Sequence, residues 1–185
     1  ALLAQDYPAE ALEIIVVDNN SRDSTVSIVE QYAVTLQHER DRQSSYAARN
    51  RGMEQAKGEI IAFTDADCIP QNDWITQLIH AFSAPKVLGV GGNVLDVEPR
   101  SEVERFTAEL NPLQNAQKLG HTYYVSVVTA NAAYRRSVLE GVGGFDARMQ
   151  TGGDIDLSWR IQKQGLGQIV YAPQAVVLHH HRSSV

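Results

Sequence analysis

The sequence predicts an α/β fold, a mostly parallel sheet with helices on both faces, and three observations predict it. Apolar, β-rich runs alternate with helix-periodic stretches. The first run, Glu13-Ile14-Ile15-Val16-Val17, is continuous rather than alternating, as strands buried on both faces are. That run and the second, Ile60-Ile61-Ala62-Phe63-Thr64, each stop at a short acidic turn. The 185 residues, 43% of them hydrophobic, suffice for one core and are too few for two ordinary domains. Residues 1–185 are therefore read as one domain.

The elements follow in order. After the first strand, Ser21 can cap a helix whose Thr25, Ile28, Val29 and Tyr32 recur at helical spacing, and a short edge strand is expected around Val34 to Gln37. Ser44 and Ser45 can cap a helix running to Lys57 and ended by Gly58. The second strand then leads into Asp65-Ala66-Asp67. A helix from Asn72 presents Ile75, Leu78, Ile79 and Phe82 on one face. Val87 to Leu95 and Tyr123 to Thr129 read as strands, with a polar helical stretch from Ser101 to Leu119 between them. Arg135 to Glu140 and Asp154 to Gln164 read as helices closed by Gly141 and Gly165, and Ile169 to Tyr171 and Ala175 to Leu178 as two short final strands. The opening Ala1 to Pro8 reads as the end of a helix.

Composition narrows the function classes. With 16 basic and 22 acidic residues the net charge is −6, which offers no general attraction to nucleic acid or anionic lipid. The single cysteine, Cys68, excludes an internal disulfide framework and fits a reducing compartment. No apolar run reaches the roughly 20 residues that cross a bilayer. A cytoplasmic location is expected, with flanking sequence able to bring peripheral association with the membrane's cytoplasmic face.

In open α/β sheets, ligands bind beyond the carboxyl ends of the strands, so Asp18, Asp65 and Asp67 should line one crevice. Asp65 and Asp67, one small residue apart, can serve a hard divalent cation such as Mg2+ or Mn2+ and the ligand it holds. Magnesium takes only one or two protein carboxylates and completes its shell with water and phosphate oxygens, so a sparse acidic site points to a phosphorylated ligand. The same residue types also make turns and helix caps, and that alternative stays open from the local sequence.

Seven blocks in order resemble glycosyltransferase family 2. They are Ile14 to Thr25; Ala48-Arg49-Asn50-Arg51-Gly52; Lys57-Gly58-Glu59-Ile60; Thr64-Asp65-Ala66-Asp67; Thr129-Ala130-Asn131-Ala132-Ala133 with Arg136; Gly143-Gly144-Phe145-Asp146; and Gly153-Asp154-Ile155-Asp156-Leu157 with Arg160, followed by His179-His180-His181. The resemblance implies the GT-A fold and an inverting transfer of sugar from a nucleotide-sugar donor, commonly a UDP-sugar, to a glycan, lipid or protein acceptor in polysaccharide, glycoconjugate or cell-envelope synthesis. It implies that Asp18 and Asn20 contact the nucleotide, that Asp65 lies near the donor ribose, that Asp67 binds the metal, and that Asp154 is the catalytic base. It further implies a strand ahead of the Asp18 strand, so the chain is expected to be a piece lacking that strand. Gly153 departs from the family's usual acidic pair, which leaves Asp156 as the other candidate for the base; alignment favours Asp154, with Asp156 among the substrate-binding residues.

Four further residues have two readings each. Arg49, in the first turn of its helix, can pair with phosphate or sit solvated. Asn131 can hydrogen-bond substrate hydroxyls or stabilise a loop. His179 is the preferred histidine for the metal shell, surface histidines or part of a tag being the alternatives. Trp159 can stack on a sugar, but core packing is expected. A nucleotidyltransferase of related fold and a non-catalytic nucleotide-sugar-binding domain are the rival functions.

Overall fold

The computed structural model describes residues 1–110 and 124–180. Strand β1 (Ile15–Asp18) is followed by helix α1 (Thr25–Val29), β2 (Thr35–His38), α2 (Ser45–Gln55), β3 (Ile60–Thr64), β4 (Cys68–Pro70), α3 (Trp74–Ala81), β5 (Val87–Asp96) and α4 (Glu102–Leu110). After residues 111–123 come β6 (Asn131–Arg135), α5 (Arg136–Gly141), α6 (Gly153–Lys163) and β7 (Gln168–His179). The Ser44 hydroxyl caps α2 by accepting from the Tyr46 and Ala47 amides, as expected. The opening residues form a 3-10 turn, Leu2–Ala4.

The α/β class holds, but the strand directions are mixed. β1 and β2 pair in parallel as a two-stranded sheet. The second sheet has the order β3-β6-β5-β7-β4, and only β5 and β7 are parallel within it. Apolar patterning identifies a buried strand without giving its direction, which is why a mostly parallel sheet was expected. β1 is also only partly buried apart from Asp18.

The sheet carries one core on each face. Trp74, Ile75, Leu78 and Phe82 pack with Val90, Val94, Ala133 and Val177 on one side. On the other, Leu139 of α5 and Leu157 and Ile161 of α6 pack with Leu88, Ala132, Tyr134 and Ile169. The period of two along β6, with Ala132 and Tyr134 facing one way and Ala133 the other, divides the cores.

Only residues 65–67 join β3 at one edge of the sheet to β4 at the other. Four strand spacings of about 4.8 Å make ~19 Å, more than the ~14 Å that the link can span, so the sheet must curl back on itself. The curl coincides with an irregularity in the β5–β7 ladder, where Gly92 pairs with Ala172 but Asn93 with Val176. β7 is thus one interrupted strand where two short ones were expected. The interruption frees carbonyls of Asn93 and Ala175, and the Asn131 amide donates to both at 2.8 Å while accepting from Trp74 Nε1 at 2.8 Å. A Cβ at position 92 would collide with that amide, so glycine is required there.

Three expectations are corrected here. Asn131 has no exposed surface and is a core residue, not a substrate contact. Residues 124–129 form no strand; Val125 exchanges hydrogen bonds with the Gln162 side chain, and the Val127 amide donates to Ser158, so this run is pinned to α6 instead of a ladder. Trp159 is 44% exposed rather than packed in the core, because Leu157, Ser158 and Ile161 supply the buried face of α6. The expected helix from Ser101 is present as far as Leu110, and its remainder lies outside the described residues, as does His181.

Asn131→Ala should strand the Trp74 indole and two buried carbonyls. Each stranded group costs roughly 1–3 kcal/mol, so with three of them urea unfolding should show a loss of at least about 3 kcal/mol. Unchanged stability would remove Asn131 from this role.

Candidate active site

The ends of β1, β3 and β7 and the start of α6 carry the expected site residues. At the end of β1, Asp18 is 5% exposed. Asn20 adopts a left-handed conformation, φ 65°, which an asparagine tolerates, and the Ser21 amide turns back to donate to Asp18 Oδ1 at 3.1 Å. His38, at the end of the paired strand β2, places Nδ1 3.4 Å from Asp18 Oδ2. Hydrogen bonding from Ser21, aided by the His38 imidazole, holds the Asp18 carboxyl below its ordinary value of 3.8. Asn19 ties this turn down by donating to the carbonyls of Glu39 and Arg42. No local pattern points to His38 or to Asn19's role, since both act across the β1–β2 pairing.

Arg49 reaches from α2 to Asp65, Nη2 to Oδ1 at 2.6 Å. Its guanidinium lies over the rings of Tyr46 and Phe145, 5.7 and 5.9 Å from their centroids. The two rings stack at 5.8 Å. Asn50 fixes Phe145 by donating to its carbonyl and accepting from its amide. Arg49 is therefore held beside the acidic turn with its charge already opposite one carboxylate, and it is not a solvated helix-face arginine.

Asp67 has a half-exposed side chain, and His179 Nε2 lies 3.7 Å from its Oδ2. The antiparallel β4–β7 register puts His179 opposite Cys68, and the His180 amide donates to the Asp67 carbonyl, so the two chain segments are locked together. The Asp67 carboxylate is the oxygen donor that suits Mg2+ or Mn2+, and the His179 imidazole adds a nitrogen donor that Mn2+ takes more readily than the harder Mg2+. Among the described residues no cluster of three or more acidic, histidine or cysteine side chains forms a fuller cage. Such a pair would leave the other positions to phosphate oxygens and water. Cys68 itself is buried, and its thiol is pushed up to about 11 mainly by that burial.

Asp154 stands in the first turn of α6. Thr129 holds both of its carboxylate oxygens, the amide donating to Oδ2 and the hydroxyl to Oδ1, each at 3.1 Å. Asp156 lies differently: it accepts from Arg160 at 2.8 Å, and Arg160 also donates to the carbonyls of Val142 and Gly144. Asp156 thus serves a clamp on the Gly143-Gly144 loop, which separates it from the role of Asp154.

A model of the glycosyl transferase family 2 matches residues 1–143. The chain belongs to glycosyl transferase family 2. As a family 2 chain it is 33% identical over 189 residues to glycosyltransferase AglE of Haloferax volcanii, a match covering 98% of the chain and 61% of AglE. It is 31% identical over 182 residues to the pre-mycofactocin glycosyltransferase of Mycobacterium tuberculosis, covering 94% of the chain and 38% of that protein. The family 2 chain thus spans about three fifths or less of these relatives' lengths. Among solved structures, the mannosyltransferase PcManGT of Pyrobaculum calidifontis superposes with a TM-score of 0.72 at 26% identity, over 96% of the chain and 50% of that protein. The GT-A fold expected from the sequence is the one observed.

The lowered Asp18 pKa has a definite sign. The group contributes stability that is complete above 3.8 and is lost as pH falls through its lower folded value. Urea unfolding between about pH 5 and pH 2 should show wild type losing more stability than Asp18→Asn. Parallel losses would mean that Asp18 is not held as described.

Proposed function

We propose that residues 1–185 act as one catalytic domain of an inverting, metal-dependent glycosyltransferase that moves a sugar from a nucleoside-diphosphate sugar to an acceptor hydroxyl. The observation that carries this reading is the Asp154 carboxylate, fixed by Thr129 at the head of α6. It stands on the same sheet end as Asp65, because antiparallel β3–β6 pairing sets Thr64 against Asn131 and the Thr64 hydroxyl donates to the Ala130 carbonyl.

In this reading Asp18 and Asn20 receive the base and ribose side of the nucleotide, while Asp65 and Arg49 bound the ribose and diphosphate. Asp67 and His179 would hold Mg2+ or Mn2+, which when bound neutralises charge on the departing diphosphate. The acceptor oxygen attacks the anomeric carbon and Asp154 takes its proton. The bond from the anomeric carbon to the diphosphate breaks on the opposite face, so configuration inverts. The two hydrogen bonds from Thr129 hold the Asp154 carboxylate in a fixed direction, as a general base requires. A uridine diphosphate sugar is the proposed donor, being the family's commonest; PcManGT was solved with GDP-Man and Mn2+, so the guanosine series is the rival. The acceptor belongs to glycan or glycolipid assembly in the cell envelope. No helix among the described residues is long and apolar enough to cross a membrane, and membrane association would come from flanking sequence. Family membership sets this reading above a nucleotidyltransferase.

Calorimetry with uridine, guanosine and thymidine diphosphates, with and without Mn2+, tests the donor half, and turnover of the donor so identified tests the base. Metal-dependent binding of one nucleotide should be lost in Asp67→Ala. Asp154→Asn should lower kcat by about 10²–10⁴ with nucleotide binding retained. Full turnover in Asp154→Asn would refute the base assignment, and absence of nucleotide binding in folded protein would refute the transferase.

A further inference from the structure

Gly153, the residue immediately before Asp154, stands where the family resemblance leads one to expect an acidic side chain, and the structure shows what occupies that space. The Gly153 amide donates to the Tyr46 hydroxyl at 3.0 Å. A Cβ built on Gly153 would lie 2.6 Å from Tyr46 Cζ, 2.7 Å from Cε1 and 2.8 Å from Cε2, closer than side-chain carbons approach. Nor can the ring retreat. It is 7% exposed, stacked on Phe145 at an interplanar angle of 16°, and covered by the Arg49 guanidinium.

The contact falls where α6 most needs one. The residue ahead of the helix, Gly152, has φ 77° and no side chain to cap the free amides of the first turn. Tyr46 supplies the acceptor from another helix, 107 residues away in sequence. Thr129 then holds the Asp154 carboxylate, and Tyr46 the backbone one residue before it. The Tyr46 ring also underlies Arg49, which pairs with Asp65, so one side chain touches both halves of the site.

We propose that Tyr46 is the positioning residue for Asp154, its phenol taking the place of the acidic neighbour, and that Tyr46 and Gly153 are a matched pair neither of which can be exchanged alone. Tyr46 acts through the α6 backbone and does not touch the reacting atoms. The proposal rests on the transferase reading above.

The experiment is a set of variants assayed with the donor that the nucleotide panel identifies. Tyr46→Phe keeps the ring and removes only the acceptor oxygen. It should lower kcat by about tenfold or more, since misplacement by 1 Å can cost ~10²-fold, and leave donor KM within about twofold. Gly153→Glu should be worse, because the side chain has no room. Gly153→Glu combined with Tyr46→Ala should recover turnover relative to Gly153→Glu alone. Circular dichroism and nucleoside-diphosphate binding establish that each variant is folded, and if Tyr46→Ala is not, Tyr46→Phe decides. Wild-type kcat in Tyr46→Phe, or an equal loss from Gly153→Glu in both backgrounds, would overturn the proposal while leaving the transferase intact. A wild-type protein that transfers from no donor would overturn the transferase reading and this proposal with it.

Discussion

A single buried amide closes the hydrogen bonds that the interrupted β5–β7 ladder leaves open, and the placing of His179 beside Asp67 depends on it. Asn131 is fully buried and bonded to Asn93, Ala175 and Trp74 at once. Unpaired polar groups are expensive in the interior, so a sheet that breaks its ladder needs such a partner. Beyond the break, β7 runs on to pair with β4, and the short link from β3 is spanned. Asp67 and His179 come together only because the sheet curls at this point.

The same residue joins the two halves of the site. Asn131 pairs with Thr64, the last residue before the acidic turn, and lies two residues after Thr129, which holds Asp154. The turn that carries Asp65 and Asp67 and the loop that carries Thr129 therefore extend from one register. Electrostatic groups aligned on a packed sheet need little reorganisation when charge moves between them, which is how such sites lower barriers. α6 completes the arrangement, since Leu157 and Ile161, both fully buried, fix its axis while Thr129 holds Asp154 in its first turn.

Much of this was legible in the sequence, and the limits have physical causes. β1, β2, α2, β3, α3, β5 and α6 were found near their observed bounds because each has an apolar rhythm or a capping residue. Asp18, Asp65 and Asp67 stood out because they follow apolar strands at the sheet end where ligands bind, although turns and caps favour the same residues there, and Asp154 stood out only through the family resemblance. Strand direction was not legible, because antiparallel and parallel strands bury the same side chains. Asn131 was misassigned for a related reason: an amide that binds substrate and one that mends a broken ladder look alike until the ladder is seen. Trp159 was misplaced because Leu157 and Ile161 suffice to cover the core. His38, Tyr46 and Asn50 act through partners 20, 107 and 95 residues away, separations that no local pattern reports.

In the proposed function Asp67 and His179 form the metal-holding edge of the nucleotide-sugar site. The most direct measurement is an anomalous difference map from crystals grown with Mn2+ and the nucleoside diphosphate the protein binds. The account predicts one manganese peak contacting the Asp67 carboxylate and His179 Nε2, with the diphosphate completing its shell and the base beside Asp18. Manganese bound with the nucleotide elsewhere, or nucleotide bound in the crevice with no metal at Asp67, would contradict it.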